Sequence, residues 1–134
     1  MTSNRFVTRL EGQGDNIKRM ILNIDDISKV LNRNPLMIMS YLSACTGACS
    51  QMIGGNKYAY LVGEYPDEYL DKYLEEFIDE FVYCRECEMY ESELQRTTKG
   101  GITLTCLVCQ NERLCEVMLP LKRKYDKLWR FSYE

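Results

Sequence analysis

Apolar positions along the chain follow two spacings, one near two residues and one near three and a half. Residues 5–10, Arg5-Phe6-Val7-Thr8-Arg9-Leu10, alternate as a strand does, and Gly12-Gln13-Gly14-Asp15-Asn16 supplies turn residues. Residues 17–23 then read as a second strand, so a hairpin with basic residues near its tip is expected. Asp25 or Asp26 caps a short helix in which Ile27, Val30 and Leu31 share one face, and Asn34-Pro35 ends it. Pro35 opens a second helix that runs through Met37, Ile38, Tyr41 and Leu42 to Gly47. Met52-Ile53 and Tyr58–Val62 flank Gly54-Gly55-Asn56-Lys57 as a second hairpin.

From Pro66 the spacing of Tyr69, Leu70, Tyr73, Leu74, Phe77, Ile78 and Phe81 predicts an amphipathic helix, with Glu68, Asp71, Glu75, Glu76 and Glu80 turned to water. Its aromatics are read as core and not as a base-stacking platform. Beyond it, residues 94–96 and 102–105 read as strands joined around Lys99-Gly100-Gly101. These elements predict an α+β protein: a small mixed α/β core domain over residues 1–81, a C-terminal four-cysteine zinc ribbon over 82–118, and a basic, aromatic tail over 119–134.

Composition sharpens this picture in three ways. The 134 residues contain no histidine, which removes the usual general base of serine hydrolases and the usual ligand of open catalytic zinc sites; the chain is not expected to be an enzyme. No apolar run approaches the roughly 18 residues of a membrane span, and residues 1–5 lack a secretory apolar stretch. A soluble, cytoplasmic protein in a reducing compartment is therefore expected. Charge is unevenly spread: residues 1–63 hold seven Lys/Arg against four Asp/Glu, residues 64–93 two against twelve, and residues 94–134 eight against four. The two basic segments could meet nucleic acid, while the acidic block suits the wet face of the long helix.

Four of the seven cysteines form two Cys-x-x-Cys motifs, Cys84-Arg85-Glu86-Cys87 and Cys106-Leu107-Val108-Cys109, separated by eighteen residues. That spacing suits one tetrahedral Zn²⁺ with Cys84, Cys87, Cys106 and Cys109 as ligands. Four thiolates leave no open position, so the site should be structural. A ribbon this small should draw much of its folding free energy, of order 10 kcal/mol, from the metal, and chelation should unfold residues 82–118. A thioredoxin-like redox pair lacks its βαβ context here, and a zinc ribbon alone also fits proteins of transcription. Cys45, Cys49 and Cys115 stand outside the motif.

Two motifs in this order resemble a known family. The first is Glu11-Gly12-Gln13-Gly14-Asp15-Asn16-Ile17-Lys18, followed by Asn23, Asp26 and Leu31-Asn32-Arg33-Asn34-Pro35; the second is the cysteine pair after a long helix. Over roughly residues 5–118 they are similar to the amino-terminal domain of eukaryotic translation initiation factor five and to the beta subunit of initiation factor two, the first motif being nearer factor five. The resemblance implies an α/β core with a zinc ribbon, placed on the small ribosomal subunit near the initiator tRNA and acting in start-codon selection. It nominates Lys18, with Arg19 as its neighbour, as RNA contacts, although Asp15 stands where factor five usually has asparagine; Arg33 is a further candidate RNA contact. Lys122, Arg123, Lys124, Lys127 and Arg130 of the tail could lie on ribosomal RNA, or the tail could be a terminal helix packed on the domain. The gamma GTPase subunit of initiation factor two is a further implied partner. Because the resemblance starts almost at Met1, the family's GTPase-activating arginine is expected to be missing, Arg5 matching a strand residue instead. The helical carboxy-terminal domain of factor five is likewise expected to be missing.

Overall fold

The computed structural model describes residues 5–55, 57–96 and 101–115. The expected tail over 119–134, with Lys122, Arg123, Lys124, Lys127 and Arg130, lies outside them, as do Asn56 and the Lys99-Gly100 turn.

Strand β1 (Thr8–Glu11) pairs antiparallel with β2 (Lys18–Ile21), Leu10 opposite Arg19 and Glu11 opposite Lys18. The turn between them requires glycine at its first position. Gly12 sits at φ +93°, and a Cβ there would lie 1.9 Å from the Asn16 carbonyl oxygen. The strand is shorter than the alternation predicts because Phe6 leaves it: its ring is buried and its N–H donates to Asp71 Oδ1 at 3.1 Å. Asn23 continues the edge in the ladder's place, accepting from Val7 N–H at 2.8 Å and donating to the Arg5 carbonyl at 2.8 Å.

That use of Asn23 also decides how α1 (Ile24–Leu31) begins. Asn23 is the N-cap residue but makes no side-chain cap bond, and Asp25 and Asp26 fall inside the first turn, where their charge favours the helix dipole. The buried stripe is Ile24, Ile27, Ser28 and Leu31. Val30, expected on that stripe, is 61% exposed, because a stripe that starts at Ile24 turns residue 30 away. The next helix, α2 (Pro35–Thr46), matches its expected bounds: Asn34 accepts from Leu36 N–H at 2.9 Å, and Gly47 closes it at φ +74°.

Strands β3 (Ser50–Ile53) and β4 (Tyr58–Val62) form the second hairpin, and β4 docks antiparallel on β2, giving the order β1-β2-β4-β3. Ile21, Ala59 and Leu61 meet α1, α2 and the long helix α3 (Asp67–Phe81) in one apolar cluster. Tyr41 stands edge-on to Phe77 and Phe81, with ring centroids 5.5 and 6.0 Å apart. On α3 the residues Leu70, Leu74, Phe77, Ile78 and Phe81 are buried as expected, but Tyr69 is 55% exposed at the rim of the stripe.

The remaining strands, β5 (Ser92–Arg96), β6 (Ile102–Cys106) and β7 (Glu112–Leu114), form a separate antiparallel sheet in chain order. The third strand was not expected from sequence. Its three residues are polar or exposed, and it forms because Cys106-Leu107-Val108-Cys109 folds the chain back against β6. Leu94, Ile102, Leu104 and Cys115 belong to the same apolar cluster as the helices, so packing runs across the 81/82 boundary. The α+β class expected from the pattern is the observed one, with three α-helices among the described residues.

The seam between the two sheets lies at the end of α3. A helix leaves its last four carbonyls without partners, and α3 has no basic residue in its last turn to meet them. Two arginines from elsewhere take that place. Arg113 of β7 donates through Nη2 to the carbonyls of Asp79, Glu80 and Tyr83 at 2.8–3.1 Å and pairs through Nη1 with Glu80 Oε2 at 2.8 Å. Arg33, 7% exposed, donates to the Phe81 carbonyl at 2.8 Å and to both the carbonyl and hydroxyl of Ser92 at 2.9 Å. Ser92 Oγ in turn donates to the Val82 carbonyl.

Candidate metal centre

Each Cys-x-x-Cys motif closes on itself by the same backbone pattern. In the first, Glu88 N–H donates to the Cys84 carbonyl and Cys84 N–H to the Met89 carbonyl, both at 2.9 Å. In the second, Gln110 N–H donates to the Cys106 carbonyl at 2.9 Å and Cys106 N–H to the Asn111 carbonyl at 3.0 Å. The residue after each motif is left-handed, Glu88 at φ +61° and Gln110 at φ +63°. The two turns are thus built alike, one hanging from the end of α3 and the other joining β6 to β7.

They face each other so that the four sulfur atoms lie within 4.8 Å of one another. Cys84 and Cys109 Sγ are 3.6 Å apart, and Cys87 and Cys106 Sγ 3.4 Å. Disulfides would need about 2.05 Å. Four sulfurs around an ion at about 2.3 Å would be roughly 3.8 Å apart, so the arrangement fits a tetrahedral thiolate site. The donors are soft, and the site is half sealed: Cys84 and Cys106 are buried, while Cys109 is exposed.

Backbone amides prepare one of the sulfurs for negative charge. Val108 and Cys109 N–H lie 3.4 and 3.5 Å from Cys106 Sγ. The Cys109 amide foremost brings the Cys106 thiol down to about 6, against the burial that opposes it. Burial, followed by the hydrogen bond to Cys106, pushes Cys87 up to about 12. Crowding of four thiols without a cation makes them compete for charge, which a divalent ion would relieve.

Of the residues expected to meet RNA, Lys18, Arg19 and Arg33 lie among the described residues, and none of them belongs to the four-cysteine cluster. Lys18 opens β2 with Nζ 4.6 Å over the Tyr60 ring. Arg19 is turned inward: Nε donates to the Tyr65 carbonyl at 2.9 Å, and Nη1 lies 3.9 Å from Asp67. Arg33, grouped with phosphate contacts on sequence, is the buried brace described above. The return of Phe81 and Ser92 past it buries the guanidinium. Sequence reasoning misses Arg113 altogether, since an arginine in a short polar strand carries no local sign of its carbonyl partners.

Comparison with known proteins adds the following. The profile of a family described as a domain found in initiation factors 2B and 5 matches residues 1–112. Eukaryotic translation initiation factor 5 of Mus musculus is 34% identical over 106 residues, covering 78% of this chain and 25% of the mouse protein. The Caenorhabditis elegans factor 5 is 32% identical over 120 residues, 90% of this chain and 26% of its own length. The Saccharomyces cerevisiae factor 5 is 35% identical over 102 residues, 75% and 25%. The chain spans about a quarter of the length of these relatives. Among the described residues no helix is long and apolar enough to cross a membrane.

Proposed function

The chain belongs to the family of the domain found in initiation factors 2B and 5, a translation initiation factor family, and from that premise we propose that it is a non-catalytic binding module of initiation. In this reading it sits on the small ribosomal subunit beside the initiator tRNA, in the cytoplasm, and takes part in start-codon selection. The match over residues 1–112 to a family whose curated relatives are named initiation factor 5 is the observation that carries the proposal.

Within it, the α/β core over residues 1–81 presents Lys18, beside the turn of the first hairpin, to backbone phosphate. Charge offered there positions RNA without reading its sequence. Arg19 and Arg33 act structurally in this reading, Arg19 tying the sheet to the start of α3 and Arg33 bracing the seam. The ribbon over 82–118 carries Zn²⁺ on Cys84, Cys87, Cys106 and Cys109. Bound there, the ion would cross-link the two turns and supply no catalysis, because four thiolates fill a tetrahedral sphere. The tail cations Lys122, Arg123, Lys124, Lys127 and Arg130 form a second contact with ribosomal RNA.

Cosedimentation of the zinc-loaded protein with small ribosomal subunits, with and without initiator tRNA and at two salt concentrations, tests this reading. Binding is expected to weaken with salt, to strengthen with the tRNA and to fall in Lys18→Glu. Absence of binding under every condition overturns it. Single-turnover GTP hydrolysis on assembled initiation complexes should show no stimulation; stimulation lost in Arg5→Ala would replace the module with a GTPase activator. Copurification as a stable complex with the gamma GTPase subunit would point instead to a beta-subunit role.

A further inference from the structure

The face of the four-stranded sheet turned away from the helices has its own chemistry. Pairing places Arg9, Met20, Tyr60 and Gln51 in one row across it, and Glu11, Lys18 and Val62 in the next. Tyr58, two residues before Tyr60 on β4, lies on the same face opposite Ile53. Met20 is buried at the middle of this face and yet is no part of the apolar cluster under the sheet. Both phenol rings are half-buried, and the Tyr60 hydroxyl is tethered to Gln51 Oε1 at 2.8 Å. Each ring has a lysine above it: Lys18 Nζ lies 4.6 Å from the Tyr60 centroid and Lys57 Nζ 5.7 Å from that of Tyr58. Arg9 adds a third cation, paired with Glu11, the carboxylate of this face.

Resting on the reading of this chain as an RNA-directed module, we propose that this outer sheet face is a stacking platform for a short unpaired RNA segment, with bases on Tyr60 and Tyr58 and phosphates on Lys18, Lys57 and Arg9. Tyrosines at alternate positions of one strand are about 7 Å apart along it, room for neighbouring bases to lie on successive rings. Bases inside a duplex are already stacked and cannot reach the rings, which selects single strands. A lysine over such a half-buried surface ring is held weakly. A base can therefore take the lysine's place while the ammonium moves a few ångströms to the phosphate. An acidic peptide would satisfy the cations but has no use for two ring faces.

The test is fluorescence anisotropy of a short, unstructured, labelled oligoribonucleotide titrated with the zinc-loaded full chain at two salt concentrations. Tyr60→Leu should weaken binding about tenfold at both salts, the loss expected when one base loses its ring. Tyr60→Phe should remain within about twofold of the parent, because the ring persists. Lys18→Gln should weaken binding and flatten its salt dependence. Circular dichroism and zinc content of each variant guard against misfolding, and Tyr58→Leu replaces Tyr60→Leu if the latter fails that check. Parent-like binding by the leucine variant, equal affinity for a duplex of the same sequence, or preference for an acidic peptide overturns the platform. Cosedimentation with small subunits that survives Tyr60→Leu, while no variant or parent binds the oligonucleotide, sinks the platform and leaves the ribosomal reading standing. Tyr60-dependent oligonucleotide binding without cosedimentation does the reverse.

Discussion

In the helical half of the molecule Ile21, Leu42, Phe77 and Phe81 are at most 1% exposed, whereas at the cysteine end of the ribbon Leu107, Val108 and Leu114 stand 52–67% in water. The helices and the first sheet close over a shared apolar interior. The described part of the ribbon reaches that interior through Val82, Leu94, Ile102, Leu104 and Cys115, with Tyr83 and Tyr90 packed beside them, and its outer end has two turns and four sulfurs in place of a core. The contrast teaches that one chain can change its means of cohesion at a single point, here the last turn of α3. Below that point burial suffices; above it there is too little apolar surface, and a metal cross-link can take over.

The largest effect that would sharpen this comparison is metal removal. Chelation, or Cys106→Ser, should cost on the order of 10 kcal/mol of metal-coupled stability. Amide exchange should rise in β6 and β7 while α1 and α2 stay protected. Uniform exchange across both halves would break the comparison. The affinity should also fall with acid. Thiols must lose their protons to bind, and below pH 6 even Cys106, brought down to about 6, is protonated, while Cys87, up at about 12, sheds its proton on loading even at neutral pH. Calorimetry in buffers of different ionisation enthalpy would count those protons.

Next in size is Phe77→Ala, expected to cost about 3–5 kcal/mol. Because Phe77 and Leu104 share one cluster, the zinc-loaded protein should lose both sheets in a single thermal transition, read by circular dichroism; two separated transitions would count against a shared core. Arg33→Met should cost about 1–3 kcal/mol, leaving the carbonyls of Phe81 and Ser92 without this donor. Its signature should be faster exchange in β5 ahead of any change in α2. At the small end, Val30→Ala should shift stability by no more than about 0.5 kcal/mol in urea melts, since the side chain is in water.

Val30 also marks the limit of what the pattern can tell. The helices are legible because Pro35, Gly47 and Pro66 punctuate long periodic runs, and the cysteine cluster because two close pairs can satisfy one ion. Periodicity locates a stripe but not its edges, so it puts Val30 and Tyr69 on faces from which the helix turns them away. It also misplaces the start of α1, because Asn23 spends its amide on residues 5 and 7. The seam is far less legible: apart from Glu80 and the Ser92 hydroxyl, Arg33 and Arg113 bind backbone carbonyls, which every residue possesses and which no sequence pattern announces.

The turn after β1 has a consequence for how such chains can diverge. Gly12 alone among its glycines would drive a Cβ into backbone, Gly14 has open space beside it but a left-handed backbone at φ +60°, and Gln13 and Asp15 are exposed. In a library randomised over these positions and selected only for folding, glycine should return at 12 almost without exception, and 13 and 15 should drift freely. The loop can thus be rewritten at residues 13 and 15, so long as its two left-handed glycines stay bare.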